Sequence, residues 1–419
     1  MGFSWRPATA AVLLAVALAG CSGGTPRAGP SAHMSPTTAA PSAAGVLRCS
    51  TATAAAPHLA AGLVRLSPVP GDPFGVAVTS DGHWSFVSYL SASQGGGDVG
   101  VFATTGSASP RLVHQIPVQQ GLGMAFTPGD RYLLVAQGTG AAVLSVPAAE
   151  QGARNAVLGT LSSGGAGQSA GGGAIEVAVS PDGRFAFASL EYSGEIAVFN
   201  LQRALASHFR TSGFVGNIPM GIAPVGMAVS PDGDWLYATS EVNRVHQRGP
   251  GAAGGAQGSL SVISLHKAET DPAHSVVSRV DAGCSPVRVV TSASGGTVWM
   301  TARESDMLLG FSASQLRSDP SHAMIARVQV GEAPVGLALV DGGQLVVVAD
   351  SNRFQQRGAS SSLAVVNVAA AVAGKPALVG YLPAGGFPRQ MELEPGGRTL
   401  LVTNFGSQQL ETVNVANLP

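Results

Sequence analysis

The sequence predicts an all-β fold, a closed ring of seven four-stranded sheets. Three observations carry that reading. One pattern of apolar run, tight turn and apolar run recurs seven times along the chain. Gly (56) and Pro (27) are abundant while aromatics make up 5%, a turn-rich composition rather than a helical one. The last repeat lacks a strand, and a segment before the first repeat can supply it.

The pattern is clearest in "APVGMAVSPDGDWLYATS" (223–240). Related stretches are "DPFGVAVTSDGHWSFVSY" (72–89), "GLGMAFTPGDRYLLVAQ" (121–137) and "AIEVAVSPDGRFAFASL" (174–190). Then come "SPVRVVTSASGGTVWMTA" (285–302), "APVGLALVDGGQLVVVAD" (333–350) and "FPRQMELEPGGRTLLVTN" (387–404). The turns are mostly Asp-Gly or Gly-Gly, the dipeptides that tolerate the backbone of a tight hairpin. A third strand follows most repeats, as in "VGVFA" (99–103), "EIAVFN" (195–200), "SLSVISL" (259–265), "SLAVVNV" (362–368) and "LETVNV" (410–415). A fourth leads onward, as in "RLVHQIPV" (111–118), "HSVVSRVDAG" (274–283), "IARVQVG" (325–331) and "ALVGYLPAG" (377–385). Four antiparallel strands at a period of about fifty residues make a β-propeller blade. After "LETVNV" the chain stops at Pro419 with no fourth strand, so "LVRLSPV" (63–69) is expected to close the last blade.

Charged residues are 11% of the chain and the net charge is -1, so neither nucleic-acid capture nor a solvated polyacid fits. The start reads as a processing signal. Arg6 precedes the short apolar stretch "ATAAVLLAVALAG" (8–20), and Leu18-Ala19-Gly20-Cys21 resembles the bacterial lipobox. That resemblance implies cleavage before Cys21 and lipidation of its thiol, with 1–20 as signal peptide. Residues 21–60 then read as a flexible Ser/Pro/Ala/Gly linker, and 61–419 as the propeller. The expected location is the extracytoplasmic side of a bacterial cell membrane, lipid-anchored. Cys49 and Cys284 remain, and an oxidising compartment points to a disulfide between them; two buried thiols or intermolecular bonding are the alternatives.

The string P-V-G-M-A-V-S-P-D-G, followed by L-Y-A-T-S and L-S-V-I-S, resembles the YVTN-type repeat. Secreted bacterial propellers of the YncE-like kind carry it, and so do seven-bladed lactonase-type propellers. The resemblance spans about residues 60–419 and implies the fold strongly, whereas one propeller scaffold serves many functions.

Strands are labelled a to d outward from the axis. The d–a and b–c connections then share one face of the disc, and the a–b turns share the other. At the start of strand a the template places Gly75, Gly123, Gly226 and Gly336, but blades 3, 5 and 7 carry Glu176, Arg288 and Gln390. Two residues on, blade 7 has Glu392 where Ala or Val is usual. Charged groups near the axis are costly unless paired or hydrated, so they mark either an internal ion-pair network or a polar site. A second feature is the duplicated string N-R-x-x-Q-R-G, "VNRVHQRG" (242–249) and "SNRFQQRG" (351–358), in the b–c loops of blades 4 and 6. Blade 5 lies between them with "ARESD" (302–306). The reading therefore gathers Arg244, Arg248, Arg303, Arg353 and Arg357 in one sector with Glu241, Glu304, Asp306 and Asp350. These loops either pair with one another or offer guanidinium forks to an anion.

"GQSAG" (167–171) matches a nucleophile motif but lacks the strand-to-helix elbow that gives Ser169 its chemistry. The histidines show no metal-ligand spacing, and no cofactor fingerprint is present. The expected function is a binding or interaction module whose b–c/d–a face takes a protein, glycan or small anionic ligand. The alternative, implied by the lactonase-type resemblance, is an enzyme acting on a carbohydrate-derived lactone, with Glu176 or Glu392 as base and Arg288 stabilising the oxyanion.

Overall fold

A computed structural model describes Cys49 and residues 53–91, 96–104, 109–164, 173–242, 257–356 and 358–419. Strands form seven four-stranded antiparallel sheets, each meandering outward from its innermost strand. Blades 1 to 6 occupy residues 72–118, 124–162, 174–219, 222–284, 286–329 and 334–383. Blade 7 combines Pro388–Leu393, Thr399–Asn404 and Gln409–Asn414 with Val64–Pro68 as its outermost strand. The register of that last pairing runs from Val64 opposite Val413 to Pro68 opposite Gln409. The N-terminal strand closes the ring, as the missing fourth strand requires.

Each blade is covered on both faces by its neighbours, which is why strands such as Leu345–Asp350 read as apolar runs up to their last residue. One cluster of buried side chains fills each junction between blades. Trp299 and Leu308 of blade 5, for example, pack on Leu337, Val346 and Val348 of blade 6. Each fully buried side chain of this size contributes roughly 1.5–3 kcal/mol.

A hydroxyl latch repeats around the axis. Ser88, Ser189, Thr239, Thr301 and Thr403 hold equivalent positions on strand b and donate to backbone oxygens of the next blade. The acceptors are Leu122, Val225, Val287, Val335 and, from blade 7 round to blade 1, Phe74. Several of these hydroxyls also accept a backbone N–H from their own innermost strand, such as Gly226 N at 2.9 Å from Thr239 Oγ1. The recurring Ser or Thr in "FVSY", "FASL", "YATS", "WMTA" and "LVTN" is thus a latch between blades. The template glycines serve the same approach: a Cβ on Gly226 would lie 2.2 Å from Val287 O, and one on Gly336 2.4 Å from Arg389 O.

The a–b turns explain the S-P-D-G string. Ser180 Oγ donates to Asp182 Oδ1 at 2.6 Å, the same carboxylate oxygen accepts Arg184 N at 2.9 Å, and Gly183 takes φ +69°. Five c–d connections carry short helices that the repeat pattern did not reveal: Val146–Glu150, Leu201–Ala206, Leu265–Ala268, Ala313–Ser318 and Val368–Val372. They are too short to show periodicity, although Asn200, Ser264, Ser312 and Asn367 cap four of them.

Cys49 and Cys284 are bonded, with Cα atoms 5.4 Å apart. Residues 53–60, read from composition as linker, instead run along the outer edge of blade 6. Leu59 N donates to Tyr381 O at 2.8 Å, Tyr381 N donates to Pro57 O at 2.9 Å, and Tyr381 Oη donates to Ala54 O at 2.8 Å. Cys21 and Ser169 lie outside the described residues.

Candidate functional site

The innermost strands build the axis in layers. The outer layer, at the b–c/d–a face, is Phe74, Leu122, Ile175, Val225, Val287 and Val335, with Arg389 in the seventh position. Val225, Val287 and Val335 are buried together against Ile175 and Phe387 and plug the channel there. One residue further in, four glycines alternate with Glu176, Arg288 and Gln390. Two residues beyond lie Ala77, Ala125, Ala178, Ala228, Val290 and Ala338, with Glu392 alone in blade 7. Small side chains leave this level wide.

Glu176 and Arg288 are 5% and 6% exposed, and Arg288 Nη2 lies 3.3 Å from Glu176 Oε2. Arg288 Nε donates to Gln390 Oε1 at 3.1 Å. The Glu176–Arg288 ion pair and the hydrogen bond to Gln390 therefore link three blades across the axis. Burial pushes the Glu176 carboxyl up, and Arg288 opposes that shift. Below them a cavity of about 530 Å³ extends towards the a–b end of the strands. Its walls include Met124, Met227, Met391, Val289 and Leu337, and Glu392 lines it. Glu392 sits deep in the ring yet its side chain is open to the channel, and desolvation within the ring pushes its carboxyl up to about 7.

This corrects the placement expected from sequence. The residues that break the glycine rule do not open onto the face carrying the long b–c loops. They close the inner end of a cavity on the opposite side of the apolar plug, because side chains at that level project into the axis rather than towards the mouth.

The b–c/d–a face carries a separate arginine cluster. Arg303 Nη2 donates to Glu241 Oε2 at 2.9 Å and to Ser285 Oγ at 3.0 Å, the pairing of neighbouring loops that the sequence allowed. Arg353 is exposed on its loop and half-buried Arg389 stands beside it in the electrostatics of the face. Although its side chain reaches solvent, partial desolvation lowers the pKa of Arg353 and Arg303 lowers it further, against the pull of Glu241, Glu191 and Glu304. Burial lowers that of Arg389 strongly, reinforced by Arg288, Arg353 and Arg303. Neither guanidinium has a carboxylate within ion-pair distance among the described residues. Both lie over aromatic rings instead: Arg353 is 5.9 Å from the centroid of Phe387, and Arg389 is 3.7 Å from Phe74, 5.7 Å from Phe387 and 5.6 Å from Phe405. Glu191 faces the same cluster, its carboxyl raised by burial and by Glu241. Arg244, Arg248 and Arg357 lie outside the described residues.

Asp350 and Asp306 do not join the arginines, which corrects the expected sector. With Glu332 they form a buried acidic cluster between blades 5 and 6, at 0%, 2% and 1% exposure. Backbone and hydroxyl donors hold one oxygen of each: Ala333 N on Asp306, Phe354 N on Glu332 and Ser362 Oγ on Asp350. Burial pushes all three carboxyls up, Asp306 to about 7. Strand b ends with its last side chain turned into the blade, so a sequence neighbour of the arginines points away from them. Among the described residues, no cluster of His, Cys, Asp and Glu has the geometry to hold a metal ion.

Arg389 was missed at the sequence level. The signal was present, since it replaces an apolar residue at a template position in the same way that Arg288 replaces glycine.

The family model for "Lactonase, 7-bladed beta-propeller" matches residues 90–246 and 125–353. No curated protein matches the chain significantly. Among solved structures, Kuenenia stuttgartiensis hydrazine synthase aligns with a TM-score of 0.60 at 16% identity, covering 84% of this chain and 97% of that one. The β-propeller domain of Myceliophteria thermophila Cps50 (Swd1) aligns with a TM-score of 0.59 at 13% identity, covering 84% and 99%. The Pseudomonas aeruginosa periplasmic gluconolactonase PpgL aligns with a TM-score of 0.57 at 19% identity, covering 82% and 88%. At these identities the likeness is one of fold. With the family match running over more than half of the chain, and seven closed blades beneath it, the protein belongs to the lactonase, seven-bladed β-propeller family.

Proposed function

We propose that the protein is a lipid-anchored, extracytoplasmic binding module whose b–c/d–a face takes a small anionic ligand or an anionic group of a larger partner. The observation that carries this is the pair Arg353 and Arg389, two guanidinium groups beside a third, Arg303, with no carboxylate within ion-pair distance of either among the described residues, although Glu191, Glu241 and Glu304 act on Arg353 from further off. Like charges held close and partly desolvated are unfavourable until an anion joins them. The aromatic faces of Phe74, Phe387 and Phe405 offset part of that cost and hold the forks in place. A planar fork matches carboxylate or phosphate oxygens.

Isothermal titration with citrate and with inorganic phosphate at low salt tests this on the full-length protein. Arg389→Ala should weaken binding about tenfold or more, the worth of one charge-assisted hydrogen bond. Absence of binding by either anion, or binding that Arg389→Ala and Arg353→Ala leave unchanged, overturns the reading.

Family membership supports a second reading, hydrolysis of a carbohydrate-derived lactone in the axial cavity. Glu176 or Glu392 would serve as base and Arg288 as oxyanion donor. The ion pair of Arg288 with Glu176 and its hydrogen bond to Gln390 weigh against it, because that guanidinium's charge is already opposed. Turnover of gluconolactone that Glu392→Gln abolishes would replace the binding reading with this one.

A further inference from the structure

The axial cavity has a chemistry unlike that of the arginine face. Its volume of about 530 Å³ falls within the range of small-molecule pockets. The charged groups lining it are Glu176, Arg288 and Glu392. The first two face each other at 3.3 Å and are almost fully buried, so they offer a neutral floor. Glu392 is left as the accessible charge, on a level otherwise made of alanines and one valine. Among the described residues no cation opposes it, and burial alone accounts for its raised carboxyl. Met124, Met227 and Met391 reach the cavity from three blades and give it flexible apolar patches beside the polar surface of Glu176, Arg288, Gln390 and Glu392. The valine plug separates this space from the opposite mouth.

A carboxylate that no cation among the described residues opposes selects for positive charge and rejects anions. A bound cation would lower the cost of ionising Glu392. We propose that the axial cavity is a second ligand site, for an organic ammonium ion with a short apolar body, its charge on Glu392 and its body along the methionine wall. The site is independent of the anion-binding face.

Hexylammonium is a suitable probe, titrated calorimetrically into the full-length protein at pH 6 and pH 8. A carboxyl with a pKa of about 7 is roughly one-tenth ionised at the lower pH and nine-tenths at the higher, so affinity should rise about tenfold. Glu392→Gln should remove binding at both pH values, and hexanoate should not bind in the cavity. Methyl resonances of Met124, Met227 and Met391 should shift with hexylammonium on the unmutated protein, which keeps the test valid should the variant fold poorly. No binding at pH 8, equal binding by Glu392→Gln, or unmoved methionine methyls each overturns the proposal.

Discussion

Glu411 offers a direct test of how burial inside a blade is balanced. It lies on the third strand of blade 7, opposite Leu66 of the N-terminal strand, and is 0% exposed. Asn404 Nδ2 donates to its Oε2 at 2.7 Å and Gly385 N donates to the same oxygen at 3.2 Å, while Oε1 is buried with no hydrogen-bond partner among the described residues. Burial pushes its carboxyl from the ordinary 4.5 up to about 7, against the pull of Asn404 and Gly385. A raised value means that the folded chain holds this proton more tightly than the unfolded chain. Its contribution to stability is therefore complete below pH 4.5, fades as pH rises, and is lost above about pH 7. At about 1.4 kcal/mol per pH unit, the loss across that window is about 3 kcal/mol. Glu411→Gln keeps the acceptor for Asn404 and Gly385 but cannot titrate. Urea denaturation at pH 4.5, 6 and 8 should show the variant gaining about 3 kcal/mol on the wild type between the extremes. The buried acids Asp306, Glu332 and Asp350 titrate in both proteins and cancel. A stability difference that stays flat with pH would refute the reasoning.

Two further outcomes are expected. Thr403→Val removes the hydroxyl that ties blade 7 to Phe74 O and accepts Gln390 N, leaving both groups buried and unsatisfied; urea denaturation should register a loss of about 1–3 kcal/mol. Mass spectrometry of the membrane fraction should find Cys21 at the N-terminus of the mature chain carrying acyl groups, and an unmodified Cys21 would remove the anchor from the proposed function.

The fold was legible because its causes are local. Asp-Gly turns with Ser or Thr two residues before the Asp are written in consecutive residues, and their hydrogen bonds close within a few positions, as in Ser180, Asp182 and Arg184. Repetition multiplied that weak signal seven times, and the missing last strand identified Val64–Pro68 as its replacement. The glycine positions were legible for the same reason. The use of each exception to that rule was not.

What the sequence by itself determined is the ring: seven blades, their strand order, the closure of the last by the first strand, and the level of the axis at which Glu176, Arg288, Gln390 and Glu392 stand. Only the tertiary structure decided what those residues do. Arg288 meets Gln390 across 102 positions of chain, and Asp350 turns away from arginines a few residues along to join Asp306 and Glu332 from the neighbouring blade. Arg389 finds its aromatic partners at Phe74, on the innermost strand of blade 1, and Phe405, in the turn after Asn404. Local periodicity sets where a side chain leaves its strand. Its ionisation and its partners depend on what the neighbouring blades place across a few ångströms, and that juxtaposition exists only once the ring is closed.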